Sequence, residues 1–175
     1  TIDKLKLIGI DETMPDRSLS MRIRKHYKTL APQKMRVGKP TIQSDAAQVF
    51  FVGEETTIKD AIRINESTVA AAIVAERDLL LVIPDNLKVQ WDSEVTDLSI
   101  LSGSAKSRIS KISYGAEGKI CILHVDTNFA AGDNLTIDGL QLKNFSASSG
   151  GSIRMRMTGP DFSVGDGNSL YVGAP

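Results

Sequence analysis

The chain has one cysteine, two histidines and only 5% aromatic residues, and its 21 basic residues are balanced by 21 acidic ones. Each scarcity excludes something. A lone thiol, Cys121, rules out a disulfide within the chain, and it leaves the redox compartment open, because exported proteins without cystines and reduced cytosolic ones read alike. Its setting, Lys119-Ile120-Cys121-Ile122-Leu123-His124-Val125, is an apolar strand, where cysteine acts as a small buried hydrophobe rather than a nucleophile. Zero net charge supplies no field to draw the protein to nucleic acid or to an acidic membrane. The basic run at 25–36, which holds Tyr27, is too short to alter that and reads as a polar strand edge or linker. No stretch of about 18 apolar residues is present to span a bilayer. The first residues lack the apolar core of a signal peptide, so the expectation is either a mature exported form or a chain that is never exported.

The catalytic inventory is equally thin. His26 and His124 lie far apart, and His124 shares a strand face with Ile120 and Ile122, the setting of a half-buried structural histidine rather than a general base. No Gly-x-Ser-x-Gly, His-Glu-x-x-His or glycine-rich phosphate loop occurs. The expectation is a protein that is not an enzyme.

What the sequence does contain is a repeat of itself. Thr1-Ile2-Asp3-Lys4-Leu5-Lys6-Leu7 lines up with Thr136-Ile137-Asp138-Gly139-Leu140-Gln141-Leu142, Ser20-Met21-Arg22-Ile23-Arg24 with Ser152-Ile153-Arg154-Met155-Arg156, and Val37-Gly38-Lys39-Pro40 with Val172-Gly173-Ala174-Pro175. The blocks keep their order, and the first and last keep the same offset, so residues 1–40 read as a second copy of the final forty. Leu5 and Leu7 alternate with lysines, and Met21 and Ile23 with arginines, the period-two pattern of strands with one buried face. Two or three strands enclose no core unaided, so 1–40 must pack on something else.

From 41 onward the chain is strand after turn. Residues 48–52, 79–83, 87–91, 95–101, 108–114, 119–125, 133–142, 152–157 and 169–172 read as strands, with 115–118 of hairpin length between two of them and a break in phase at Gly139. Only 68–76, Thr-Val-Ala-Ala-Ala-Ile-Val-Ala-Glu, lets helix compete. The pattern predicts an all-β fold, an antiparallel β-sandwich formed by 41–175, with 1–40 as terminal strands of a preceding or exchanged repeat.

The succession Leu79-Leu80-Leu81-Val82-Ile83-Pro84, Trp91-Asp92, Ile112-Ser113-Tyr114, Asn128-Phe129-Ala130-Ala131-Gly132-Asp133-Asn134-Leu135-Thr136-Ile137-Asp138-Gly139-Leu140 and Asn144-Phe145 resembles the β-sandwich repeats of large secreted bacterial surface proteins, and more distantly cohesin-like and bacterial Ig-like modules. These are packing and turn motifs, so the resemblance implies architecture and an extracellular or cell-surface setting, and it transfers no activity.

The candidate sites follow. Leu5, Leu7, Met21 and Ile23 are expected as assembly contacts, matching Leu140, Leu142, Ile153 and Met155. Asp161, Asp166 and Asn168, on a glycine-rich loop, are the oxygen donors available to calcium, the one cofactor in view, though a solvated turn explains them as well. Asp126, Asp133 and Asp138 form a second, looser acidic set. Asn65, Asn134 and Asn144 head acceptor sequons for glycosylation. Trp91, backed by Tyr114 and Tyr171, is the ring on which a glycan partner would stack, or else a core anchor. The function expected is a structural repeat of the cell surface that assembles with copies of itself into a layer, filament or stalk by strand exchange. The alternative is a carbohydrate-binding or adhesion module.

Overall fold

Alternating apolar residues put one side of each short strand into a shared interior. The computed structural model describes residues 38–54, 60–159 and 162–174, together with the backbone of the short strands Arg17–Ser18, Met21–Ile23, His26–Lys28, Lys34–Met35 and Thr56–Thr57. In the largest sheet, Leu79–Val82 runs antiparallel between Ile120–Val125 and Arg154–Met157, with Ile109–Gly115 and Ser163–Gly165 at the two edges. A second antiparallel sheet orders Leu101–Ser102, Asn134–Ile137, Ile62–Asn65 and Thr41–Ser44. Two three-stranded sheets complete the body. One joins Ser149–Gly151, Leu170–Gly173 and Gln48–Phe51, the last pair parallel; the other joins Gln90–Trp91, Gln141–Lys143 and Thr56–Thr57. The result is the all-β, antiparallel β-sandwich that the pattern predicts.

Leu79, Leu81, Cys121, Leu123 and Met155 of the first sheet and Ile62, Ile64, Leu135 and Ile137 of the second belong to one buried cluster. Each such side chain withdrawn from water contributes roughly 1.5–3 kcal/mol. Trp91 is fully buried, and its indole N–H donates to the Leu81 carbonyl at 3.0 Å, which satisfies the polar end that a buried tryptophan must place. Burial pushes the Cys121 thiol up to about 12, so the thiol is inert.

In three places where the chain differs from expectation, a charged side chain has taken the backbone. Residues 68–76 form neither helix nor strand, because the buried Glu66 carboxylate accepts the N–H groups of Ser67, Ala72 and Ile73 at 2.7, 2.9 and 2.7 Å. Those amides are then lost to helix hydrogen bonding. Of 87–91 only Gln90–Trp91 is a strand, since Lys119 Nζ donates to the carbonyls of Leu87 and Val89. Residues 95–101 instead hold a 3-10 turn at Leu98–Ile100, fixed by Asp97 accepting from the Ser99 N–H, and only Leu101 enters a strand. The expected strand 133–142 divides at Gly139, φ +112°, into Asn134–Ile137 and Gln141–Lys143, which serve different sheets. A side chain there would be strained in that backbone conformation.

Asp133 ties the loop before its strand to the second sheet. Its carboxylate accepts from the Ala130 N–H at 2.6 Å and from Ser104 Oγ at 2.9 Å, and Arg108 Nε lies 2.8 Å away. The Ala130 amide above all, then Ser104 and Arg108, hold the Asp133 carboxyl below the usual carboxylate range against a desolvation that opposes them. A depressed folded-state pKa contributes stability that is present above the unfolded value and is lost as the pH falls through the folded one. Asp133→Asn should therefore cost about 1–3 kcal/mol at neutral pH. Its deficit against the parent should shrink below about pH 4, as read from urea midpoints across the range.

Candidate interaction surface

The closing strands are core. Leu140, Leu142, Ile153 and Met155 are all buried within their own chain. Met155 sits opposite Leu81 in the largest sheet, and Leu142 opposite Trp91. Of their N-terminal counterparts, Leu5 and Leu7 lie outside the described residues; Met21 and Ile23 fall in a strand paired with His26–Lys28, and their side chains lie outside the description.

Asp161 also lies outside the described residues. Asp166 and Asn168 come together, on a strand edge. Both Asp166 carboxylate oxygens accept the Ser44 N–H at 3.0 Å, one of them also accepts the Asn168 N–H at 2.9 Å, and Asn168 Nδ2 donates to the Ser44 carbonyl at 2.6 Å. Thr41–Ser44 ends its sheet, so the two side chains supply Ser44 with the donor and acceptor that a further strand would have given. Asp126 and Asp138 are exposed and do not join Asp133 in a cluster. Among the described residues no group of three His, Cys, Asp or Glu side chains converges as a metal site.

The sequon asparagines Asn65, Asn134 and Asn144 are exposed. Asn144 adopts φ +59° and its amide donates to Gln90. It lines an open groove of about 540 Å³ with Asp85, Lys88, Gln90, Lys119 and Ser146. Lys119 there is engaged by two carbonyls, and burial lowers its pKa. Trp91 is buried and the Tyr114 hydroxyl donates to the Val95 carbonyl, so these two rings do not form an outward platform. His124 is half-buried and hydrogen-bonded at both ring nitrogens.

The sequence pattern misses one surface. Val49, Phe51 and Tyr171 are 61%, 47% and 50% exposed, on the adjacent parallel strands Gln48–Phe51 and Leu170–Gly173, where Tyr171 pairs with Val49 and Gly173 with Phe51. Each ring lies across a glycine: a Cβ on Gly150 would stand 3.1 Å from the Tyr171 ring, and one on Gly173 would stand 3.5 Å from that of Phe51. Gln48–Phe51 is the last strand of its sheet. Of its outward amides, that of Phe51 is met by the Glu54 carboxylate at 3.2 Å. The signal was present in Val49-Phe50-Phe51-Val52, but an unbroken apolar run hides which parity faces out. Among the described residues no helix is long and apolar enough to cross a membrane.

The Asp166 clasp can be tested directly. Asp166→Ala should lower stability by about 1–3 kcal/mol, seen as a lower melting temperature that neither calcium nor a chelator changes. A calcium-dependent rise in the parent that the variant loses would make Asp166 a metal ligand instead.

No family model matches the chain, and no curated protein aligns with it. Among solved structures it is similar to a non-cellulosomal cohesin from the hyperthermophilic archaeon Archaeoglobus fulgidus, with 14% identity and a TM-score of 0.41 over 77% of this chain and 91% of that one. It is also similar to the 35 kDa C-terminal fragment of the major pilin of Streptococcus agalactiae, with 8% identity and a TM-score of 0.39 over 78% of this chain and 56% of that one. Both similarities are distant, and they concern the β-sandwich alone.

Proposed function

We propose that this chain is a structural repeat of a cell-surface or extracellular protein that joins to copies of itself by strand addition. The observation that carries this is the exposed apolar patch of Val49 and Phe51 on Gln48–Phe51, an edge strand among the described residues, with Tyr171 on the strand beside it. An exposed, hydrophobic edge strand is a template for pairing with another chain, and added strands combine ladder hydrogen bonds with a buried side-chain stripe. The chain also carries a surplus of closing strands, since 1–40 repeats the pattern of 136–175 while 136–175 fills its own sandwich. Residues 1–40 of one copy are the occupant, with Leu5, Leu7, Met21 and Ile23 as the buried stripe. Contacts of this head-to-tail kind need not close and extend into fibres or layers. The extracellular setting rests on the resemblance of the strand and turn motifs. Burial of Trp91 counts against the carbohydrate-binding alternative in the form that uses that ring.

Sedimentation and electron microscopy of the full chain, of a deletion of 1–40, and of the double variant Val49→Lys with Phe51→Lys test this. The full chain should form multimers, and both altered forms should stay monomeric, the lysine variant with unchanged circular dichroism and the deletion with a cooperative melt. Assembly that survives the deletion removes strand exchange. Assembly that survives only the lysine substitutions moves the acceptor to another edge.

A further inference from the structure

His124 is half-buried, and both of its ring nitrogens are engaged. Its Nδ1 lies 3.0 Å from Asp78 Oδ2, and its Nε2 lies 2.7 Å from Ser113 Oγ. A carboxylate only accepts, so the neutral ring carries its proton on Nδ1 and leaves Nε2 to accept the serine O–H. Asp78 is itself held, since Oδ1 accepts the Val125 N–H at 3.3 Å and its own N–H donates to Thr158 Oγ1 at 2.9 Å. Nucleophile, base and an anchored orienting carboxylate therefore stand in the order and on the ring nitrogens that serine acyl transfer requires. The three residues come from two neighbouring strands and the residue preceding a third, which is why no sequence motif announces them.

We infer that Ser113 is an activated nucleophile that accepts acyl groups from short esters reaching the outer face of the largest sheet. His124 and Asp78 are about one-third exposed and Ser113 is partly so, and esters have open access. Ser113 pairs with Ile122 and Ile122 with Leu80, so these half-buried side chains form an apolar floor beside the serine for a short acyl chain. Exposed Lys111, opposite His124, favours esters that carry a negative charge elsewhere on the alcohol part. Ile109–Gly115 is an edge strand, so every second N–H along it points away from the ladder.

In the step, Ser113 Oγ bonds to the ester carbonyl carbon as its proton passes to His124 Nε2. The carbon–oxygen bond to the leaving alcohol breaks, the alcohol takes the proton from Nε2, and an acyl ester remains on Ser113. Water, giving a proton to the same nitrogen, then bonds to the acyl carbon; the carbon–Oγ bond breaks as Nε2 returns that proton to Ser113, and the carboxylic acid leaves. Asp78 is a positioning residue, acting through His124.

The full chain, native and urea-unfolded, should be treated with a fluorophosphonate probe and with p-nitrophenyl butyrate, and the modified peptide mapped by mass spectrometry. Native protein should be labelled at Ser113, and Ser113→Ala should lose that label. His124→Gln should slow labelling about 100-fold or more, and Asp78→Asn at least about tenfold. In Asp78→Asn, nitrogen NMR should also show the His124 proton moved from Nδ1 to Nε2 while circular dichroism is unchanged. Native labelling no faster than that of unfolded protein overturns the inference, as does a label elsewhere or an unchanged rate in a folded His124→Gln.

Discussion

The sandwich depends on the strand Leu79–Val82. It is paired on both sides, and the register sets Cys121, Leu81 and Met155 in one buried row across three strands. The Leu81 carbonyl also takes the indole N–H of Trp91, which brings a strand of another sheet over the same point. The Arg154–Met157 strand is therefore no appendage. Without it, one edge of Leu79–Val82 and the side chains of Leu79 and Leu81 would meet water, at roughly 1.5–3 kcal/mol per side chain. The final forty residues help close the body that precedes them, and that gives the similar sequence at 1–40 its interest.

Most strands in this fold are two to four residues long, too short for ladders alone to satisfy the backbone between them. Charged side chains supply the missing partners. Glu66 accepts three amides of its loop, Lys119 donates to two carbonyls, Asp133 gathers an amide, a hydroxyl and a guanidinium, and Asp166 with Asn168 completes Ser44. Buried backbone groups left unpaired would each cost about 1–3 kcal/mol. A charged group bound to several of them offsets its own desolvation and pins irregular chain as firmly as a strand would.

This division explains what the sequence could and could not show. Alternation made the buried parity legible wherever a strand has one wet face: Cys121, Leu123 and Val125 turn in while Ile120, Ile122 and His124 turn out, and Met155 and Met157 turn in between arginines. The same period carried past the true strand at 87–91, where Leu87, Val89 and Trp91 are buried as the pattern says but only the last two residues pair. The interruption comes from Lys119, some thirty residues away. Contacts of that kind leave no local trace. The apolar edge was hidden for another reason, because Val49 and Phe51 look no different from Phe50 in a continuous hydrophobic run and only pairing with Leu170–Gly173 decides their parity.

His124 shows the same limit at the level of chemistry. Strand alternation correctly places it on the outer side of its sheet, half-buried, and an isolated histidine in that position is ordinarily structural. What alters its chemistry is register: pairing Lys111 with His124 and Ser113 with Ile122 sets Ser113 diagonal to the ring, and the turn into Leu79–Val82 sets Asp78 on its other side. A shift of one residue in either strand would move Ser113 or His124 to the inner face and dissolve the arrangement. The apolar edge at Gln48–Phe51 and the Ser113 face belong to sheets that share no strand. The proposed assembly edge and the proposed serine site are thus separable by substitution, since changes at either leave the strand pairings that build the other intact.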